Sequence, residues 1–211
     1  MQSGLPKQFH ILSGLPVLMR SIRAFYLFDP SILIILALPE SNLAYWQMLC
    51  VKYNFTIQHK VVNGGDSRFL SVRNSLESVP DNYLVAIHDG VRPLVSQKTI
   101  RSTFQEAEAS GNAIPVIPVN ESVRIVEGGQ NKPVSRDLLR IIQTPQVFIA
   151  REIKNAYAQA ENDDYTDDAN VFEAAGGKLH LVEGNPENIK ITQPSDLLLA
   201  EAILLKASSS D

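Results

Sequence analysis

Tyr83-Leu84-Val85-Ala86-Ile87-His88-Asp89-Gly90-Val91-Arg92-Pro93 is the stretch on which the fold turns. Tyr83 to His88 make a mainly apolar run of strand length, read as a buried strand. The run ends in an acid, and an arginine follows three residues later, at the carboxyl edge where open α/β sheets bind ligands. Asp89 is suited to accept hydrogen bonds from substrate hydroxyls or to hold a magnesium ion. Arg92 is suited to hold a phosphate or to pair with Asp89. A strand-end salt bridge with no ligand is the competing reading.

Outward from this strand, short β-rich runs alternate with longer segments of helical period. That pattern predicts a mainly parallel sheet covered by helices on both faces. Strands are expected at Ile32 to Leu38, Thr56 to Val62, Tyr83 to His88, Ala113 to Val119, a pair within Ser122 to Phe148, and Lys178 to Val182. Pro16 suits a first helical turn, with Leu18, Ile22 and Phe25 on one face. A second helix near Asn42 to Tyr53 carries Leu43, Trp46 and Cys50. Ser96 is placed to cap a helix that Gly111 ends, and a last helix follows Pro194 and runs to Lys206. Ser208 to Asp211 reads as a frayed tail. Glu121 to Ile142 breaks the alternation, because a strand, the turn-rich tip Glu127-Gly128-Gly129-Gln130-Asn131 and a return form an arm with few core residues. Such an arm needs a partner surface.

Composition bounds the function. The 211 residues, 45% hydrophobic and 20% charged, predict one globular domain with its own core. A formal charge of −4 argues against broad nucleic-acid binding, so an anionic ligand needs a locally basic pocket. Cys50 is the only cysteine, which excludes an internal disulfide and suits a reducing cytoplasm. No run approaches the roughly 20 apolar residues of a membrane helix, and the first residues lack a signal-peptide pattern.

A second candidate site follows a predicted strand. In Asn63-Gly64-Gly65-Asp66-Ser67-Arg68 two glycines open a helix in which Phe69, Val72, Leu76 and Val79 share a face. Such a turn either brings backbone amides close to an anionic ligand or is a glycine turn with a helix cap. Ser71 faces a ligand or solvent. Lys7 and Lys190 by themselves read as solvated lysines. The acidic run Asn162 to Asp168 lacks the glycine and distal glutamate of a calcium loop, and a helix start capped by Thr166 accounts for it. His10, His59, His88 and His180 show no metal-ligand spacing. Neither a nucleophile elbow nor a phosphate-binding P-loop signature is present.

Taken in order, these segments resemble the 2-C-methyl-D-erythritol 4-phosphate cytidylyltransferase family of the non-mevalonate isoprenoid pathway. The resemblance spans essentially the whole chain. It rests on Pro6-Lys7-Gln8-Phe9, Gly64-Gly65-Asp66-Ser67-Arg68 with Ser71-Val72, His88-Asp89-Gly90-Val91-Arg92-Pro93, Thr144-Pro145-Gln146-Val147-Phe148, Thr166-Asp167-Asp168, and Val182-Glu183-Gly184 with Asn188-Ile189-Lys190-Ile191-Thr192. It implies a Rossmann-like nucleotidyltransferase fold with a protruding β-arm, and transfer of a cytidylyl group from CTP to a sugar-alcohol phosphate with release of pyrophosphate. It further implies that Lys7 and Lys190 are catalytic cations, and that Gly64, Gly65, Asp66, Ser71 and Asp89 surround the nucleotide. Acceptor recognition is implied for Asp89, Arg92, Ser122, Arg136, Thr144, Thr166 and Lys190; the family places a threonine where this chain has Ser122. Magnesium is implied, held mainly by the CTP phosphates with Asp89 as the protein candidate. A cytoplasmic homodimer is implied too, with the 121–142 arm reaching the neighbouring site.

The chain departs from the family at its start. Members open with a hydrophobic strand and a glycine-rich loop whose arginine is catalytic, and here Met1 takes the place of that loop's final methionine. The resemblance therefore implies a domain incomplete at its N-terminus, a natural protein that extends upstream, and weak or no turnover by the chain as given. Ribitol 5-phosphate as acceptor, and a non-catalytic nucleotide-binding protein, are the two alternatives.

Overall fold

The computed structural model describes residues 5–208. Met1, assigned above to a glycine-rich loop, and residues 209–211 of the expected tail lie outside the described residues. Ile11–Leu12 (β1) and Leu15–Pro16 (β2) form a tight antiparallel pair leading into α1, Val17–Phe28. Pro16 precedes the first helical residue, and Leu18, Ile22 and Phe25 are buried on one face as their spacing predicts. Then follow β3 (Ile35–Leu38), α2 (Glu40–Lys52), β4 (Lys60–Asn63), α3 (Arg68–Leu76) and β5 (Leu84–Ile87). The chain continues through α4 (Gln97–Ser110), β6 (Asn112–Pro118), β7 (Val123–Glu127), β8 (Gln130–Val134), β9 (Arg140–Ile142) and β10 (Gln146–Ile149). It closes with α5 (Ala150–Gln159), α6 (Asp168–Ala174), β11 (Leu181–Glu183) and α7 (Pro194–Ser208). No described helix is long and apolar enough to cross a membrane.

The cap residues behave as their chemistry demands. The Ser96 hydroxyl accepts the Thr99 N–H at the start of α4, and Gly111 ends it at φ +87°, a conformation that costs glycine nothing. At α6 the cap is Asp167, not Thr166: the Asp167 carboxylate accepts the Asn170 N–H, while the Thr166 hydroxyl accepts only the Asn170 side chain.

The sheet is mixed where a mainly parallel one was expected. β11, β6, β10 and β5 lie in that order, with β9 also on β6. Among the described residues only β11 on β6 and β3 on β4 are parallel, whereas β10 runs antiparallel to both β5 and β6. The reason is connection length. A parallel return needs a crossover of a dozen residues or more, but the chain leaving β9 simply runs back along β6 into β10 with no helix between. The segment 122–148 accordingly holds four strands, not a pair. Its β9 portion belongs to the central sheet, and the free-standing ladder is β7 with β8, Val123↔Val134 to Glu127↔Gln130.

Helices cover both faces. Phe148 points to Phe69, Ile153, Tyr157 and Phe172 of α3, α5 and α6, while its neighbour Val147 points to Ala107 of α4. Phe9, Leu18, Met19, Leu38 and Trp46 join α1 and α2 to β3. Among the described residues β3 is paired only with β4, and β5 only with β10. Between β3 and β5 lies an apolar slot of about 360 Å³, walled by Leu18, Ile22 and Phe25 of α1 and by Val72 and Leu76 of α3.

Candidate functional site

Asp89 stands just beyond the carboxyl end of β5, its side chain only 12% exposed, and three cations converge on it. Arg68 Nε lies 3.4 Å from Oδ1; Arg92 Nε and Lys190 Nζ lie 3.3 and 3.1 Å from Oδ2. Burial raises the Asp89 pKa, but Arg68, Lys190 and Arg92 together more than offset it and hold the carboxyl at about 2. Each cation arrives from a different element: Arg68 opens α3, Arg92 turns back from the loop after β5, and Lys190 leads toward α7.

Arg68 is also anchored from behind. Its Nη2 and Nη1 donate to the two oxygens of Asp168 at 2.6 and 3.1 Å, and Tyr157 Oη donates to Oδ1 at 2.6 Å. Asp168 is fully buried as the first residue of α6, where a carboxylate also meets the helix dipole. Burial opposes the Arg68 charge, yet Asp168 and Asp89 raise its pKa. For Tyr157, burial and the Asp168 charge both push the phenol upward. Gln146 completes this layer, donating to Asp167 and accepting the Ala169 N–H.

The glycine turn is shaped by contact. A Cβ on Gly65 would lie 2.2 Å from Leu70 Cβ and within 3.2 Å of Leu70 backbone atoms, so α3 itself would have to move. The Gly65 N–H donates to Ser71 Oγ at 3.0 Å, and Ser71 Oγ donates to the Ser67 carbonyl at 2.9 Å. Ser71 thus ties the turn to its helix while also lining the slot. Gly65→Ala is expected to lower stability by about 1–3 kcal/mol, the cost of overpacking. Urea unfolding measures it, and an unchanged midpoint would contradict the contact.

The other expected residues are distributed as follows. Thr144 is only 4% exposed, accepting the Asp89 N–H at 3.1 Å and lying 3.0 Å from His88 Nδ1. Asn188 donates to the Thr144 carbonyl, and its own carbonyl accepts Arg92 Nη1 at 2.8 Å. Asp66 and Thr166 are exposed near the two helix starts. Lys7 lies in the short 3₁₀ turn Lys7–Phe9, exposed, and near enough to Asp196 of α7 to favour its charged form, after the Thr192 and Gln193 amides. Ser122 and Arg136 sit at the base of the β7–β8 hairpin, where Arg136 Nη1 holds the Asn120 carbonyl at 2.6 Å. The structure thus brings Asp89, Arg92, Thr144 and Lys190 together with Gly64, Gly65 and Ser71 at one sheet edge. Within the chain, Ser122 and Arg136 make no described contact with that cluster.

Sequence reasoning left Arg68 without a role of its own and passed over Asp168, Tyr157 and His88. A signal existed for Asp168: it shares a helical face with Phe172, and an acid on a buried face requires a cation.

The described residues contain no group of three or more His, Cys, Asp or Glu side chains able to hold a metal. Both Asp89 oxygens are already engaged by cations, so the protein presents no ready magnesium cage. What the cluster presents instead is Arg68, Arg92 and Lys190 against Asp89 and Asp168, an excess of one positive charge with Lys190 still 44% exposed. Phosphate oxygens can take over the Asp89 contacts of Lys190 and Arg92, because charge-assisted pairs of this kind exchange one anion for another.

Known proteins share the sequence pattern and the fold. The profile of the 2-C-methyl-D-erythritol 4-phosphate cytidylyltransferase family matches residues 1–206. The chain is 47% identical to that cytidylyltransferase of Phocaeicola vulgatus over 204 residues, covering 97% of this chain and 93% of the relative. It is 48% identical to the Bacteroides fragilis enzyme of the same name, with the same shares covered. Among solved structures it resembles the Thermus thermophilus 2-C-methyl-D-erythritol 4-phosphate cytidylyltransferase, TM-score 0.82 and 32% identity, covering 95% of this chain and 94% of that one. The Anaerococcus prevotii 4-diphosphocytidyl-2C-methyl-D-erythritol synthase aligns with TM-score 0.84 and 27% identity over 96% of this chain and 92% of its own.

Proposed function

The chain belongs to the 2-C-methyl-D-erythritol 4-phosphate cytidylyltransferase family, and from that premise we propose that it transfers the cytidylyl group of CTP to 2-C-methyl-D-erythritol 4-phosphate. The observation that carries this reading is the triad of cations held by Asp89 at the carboxyl edge of β5. The acceptor is a phosphate monoester, largely ionised at pH 7, so one of its oxygens attacks the α-phosphorus without a strong general base. The P–O bond to the β-phosphate breaks, its electron pair leaves with pyrophosphate, and a diphosphate linkage remains in the product. The barrier lies in charge and alignment, and lysines and arginines preorganised around one carboxylate lower it.

In this reading Lys190 and Lys7 are the catalytic cations and CTP enters as its magnesium complex. Gly64, Gly65, Asp66 and Ser71 surround the base, with Asp89 at the ribose. Arg92 and Lys190 hold the acceptor phosphate, with Thr144 behind them and Thr166 at the rim. The β7–β8 hairpin carries Ser122 and Arg136 to the neighbouring subunit of a cytoplasmic homodimer. That role is supported by the placement of both residues at the base of the hairpin and by the exposed Val126 and Leu138, 74% and 81%. The slot between β3 and β5 has the apolar lining, and among the described residues the unpaired strand edges, to accept one further strand.

Calorimetry of the chain with methylerythritol phosphate and with ribitol 5-phosphate tests the assignment. The first should bind more tightly, and Lys190→Ala should weaken it about tenfold or more, as expected for a lost charge-assisted contact. Equal affinity for the two polyol phosphates, or indifference to Lys190→Ala, would refute it.

A further inference from the structure

His88 is a half-buried titratable side chain at this edge to which the proposed chemistry gives no role. Its ring packs edge-on against Phe25 at 5.0 Å between centroids, with Nε2 3.0 Å from the Arg92 carbonyl and Nδ1 3.0 Å from the Thr144 hydroxyl. The partners decide the protons. A carbonyl only accepts, so Nε2 carries the hydrogen. A neutral ring with its proton on Nε2 presents Nδ1 as an acceptor, and the Thr144 hydroxyl donates to it. The Thr144 oxygen then keeps a lone pair for the Asp89 N–H, 3.1 Å away. Each link has one allowed direction, from the Asp89 amide through Thr144 and His88 to the Arg92 carbonyl.

We infer that His88 is the positioning residue of the site: through the Thr144 hydroxyl it fixes the backbone at Asp89, and through the Arg92 carbonyl it closes the loop carrying both charged residues. It touches no reacting atom. The loop has a second tether, because Ser21 Oγ of α1 donates to the Gly90 carbonyl at 3.0 Å. That tether holds the middle of the loop, the Ile191 N–H holds the Val91 carbonyl at 2.9 Å and the Arg92 N–H holds the Asp89 carbonyl at 3.0 Å, while His88 joins the turn so formed to the Thr144 hydroxyl. A displaced Asp89 loses register with Arg68 and Lys190, which approach it from other elements, so the wiring controls how well the three cations are gathered. This role rests on the reading of the cluster as the phosphate-facing site; the wiring itself does not.

Side-chain nitrogen and amide NMR of the intact chain tests the wiring. The His88 ring should show one protonated and one bare nitrogen, the bare one Nδ1, and the Asp89 amide should be protected from exchange. His88→Asn places an acceptor where Nδ1 was, and should keep the Asp89 amide protected and methylerythritol phosphate bound within about threefold. His88→Gln places its polar atoms near Nε2 and leaves the Thr144 hydroxyl unpaired, so protection should fall. His88→Leu and Thr144→Val should each expose the Asp89 amide and weaken phosphate binding about tenfold. The double variant His88→Leu/Thr144→Val should be no worse than either alone, because both break one chain of bonds. Additive losses, an Nδ1–H tautomer, or an Asp89 amide unmoved by Thr144→Val would overturn the inference. Were the parent chain to bind neither polyol phosphate while the NMR pattern held, the site assignment would fall and the wiring would stand.

Discussion

Arg68→Met is expected to cost the folded chain about 3–5 kcal/mol, the penalty for stripping the cation from a buried ion pair. Asp168 is the reason. Its carboxylate is fully buried, and its described side-chain partners are the Arg68 fork and the Tyr157 hydroxyl. With methionine at 68 the charge keeps one neutral hydrogen bond and the end of a two-turn helix. The reverse deletion should be milder: Asp168→Asn leaves Arg68, one-third exposed, free to turn toward solvent and Asp89. The order of the two variants is therefore as informative as their size. Urea denaturation followed by circular dichroism gives both. A loss below about 1 kcal/mol for Arg68→Met would mean that the pair contributes no more than an exposed one. The double variant Arg68→Met/Asp168→Leu should recover much of the loss, because an apolar pair of similar volume asks for no compensation.

This pair also marks the limit of what the sequence discloses. The apolar run placed a strand at Tyr83 to His88, found at Leu84–Ile87 and half-buried beside the slot where a buried strand was expected, and periodicity placed the helix face of Leu18, Ile22 and Phe25, because each is decided within one segment. Ser96 and Gly111 were legible for the same reason, since capping is local chemistry. The direction of β10 was not, because an apolar run looks the same whichever way its neighbours run; only the missing crossover helix before Gln146 contained the answer. Thr166 and Asp167 are both able to cap, and which one does depends on a rotamer. At the site, Asp89, Arg92 and Lys190 were readable as candidates, but their convergence joins residues about a hundred positions apart. Arg68 and Asp168 are likewise a contact between α3 and α6, and neither segment alone contains it.

Extending the chain ahead of residue 1 by an apolar strand and a glycine-rich loop is expected to raise CTP-dependent pyrophosphate release by about a hundredfold or more. The expectation starts from the slot between β3 and β5. Both strands end toward the same edge, since the Gly64 N–H donates to Leu38 at the end of β3, and Arg68, four residues on, reaches Asp89 beyond the end of β5. A strand laid between them in the same sense finds backbone donors and acceptors on both sides and apolar side chains of α1 and α3 above and below. Its carboxyl end emerges beside Asp89, Arg68 and Ser71, so the loop that follows arrives where phosphates are to be held. The chain then rejoins at Leu5, which packs in the same cluster as Leu38. Backbone amides and one further cation delivered there act on charge that grows in the transition state, and losing a single such donor typically costs two to three orders of magnitude. Filling the slot should also raise the melting temperature by at least about 2–4 °C, the equivalent of roughly 1 kcal/mol in a domain of this size. The control is an extension of equal length whose strand residues are replaced by serine and glycine, which cannot fill an apolar slot. If the apolar and the polar extensions gave the same melting temperature and the same turnover, the slot would be a feature of packing with no bearing on catalysis.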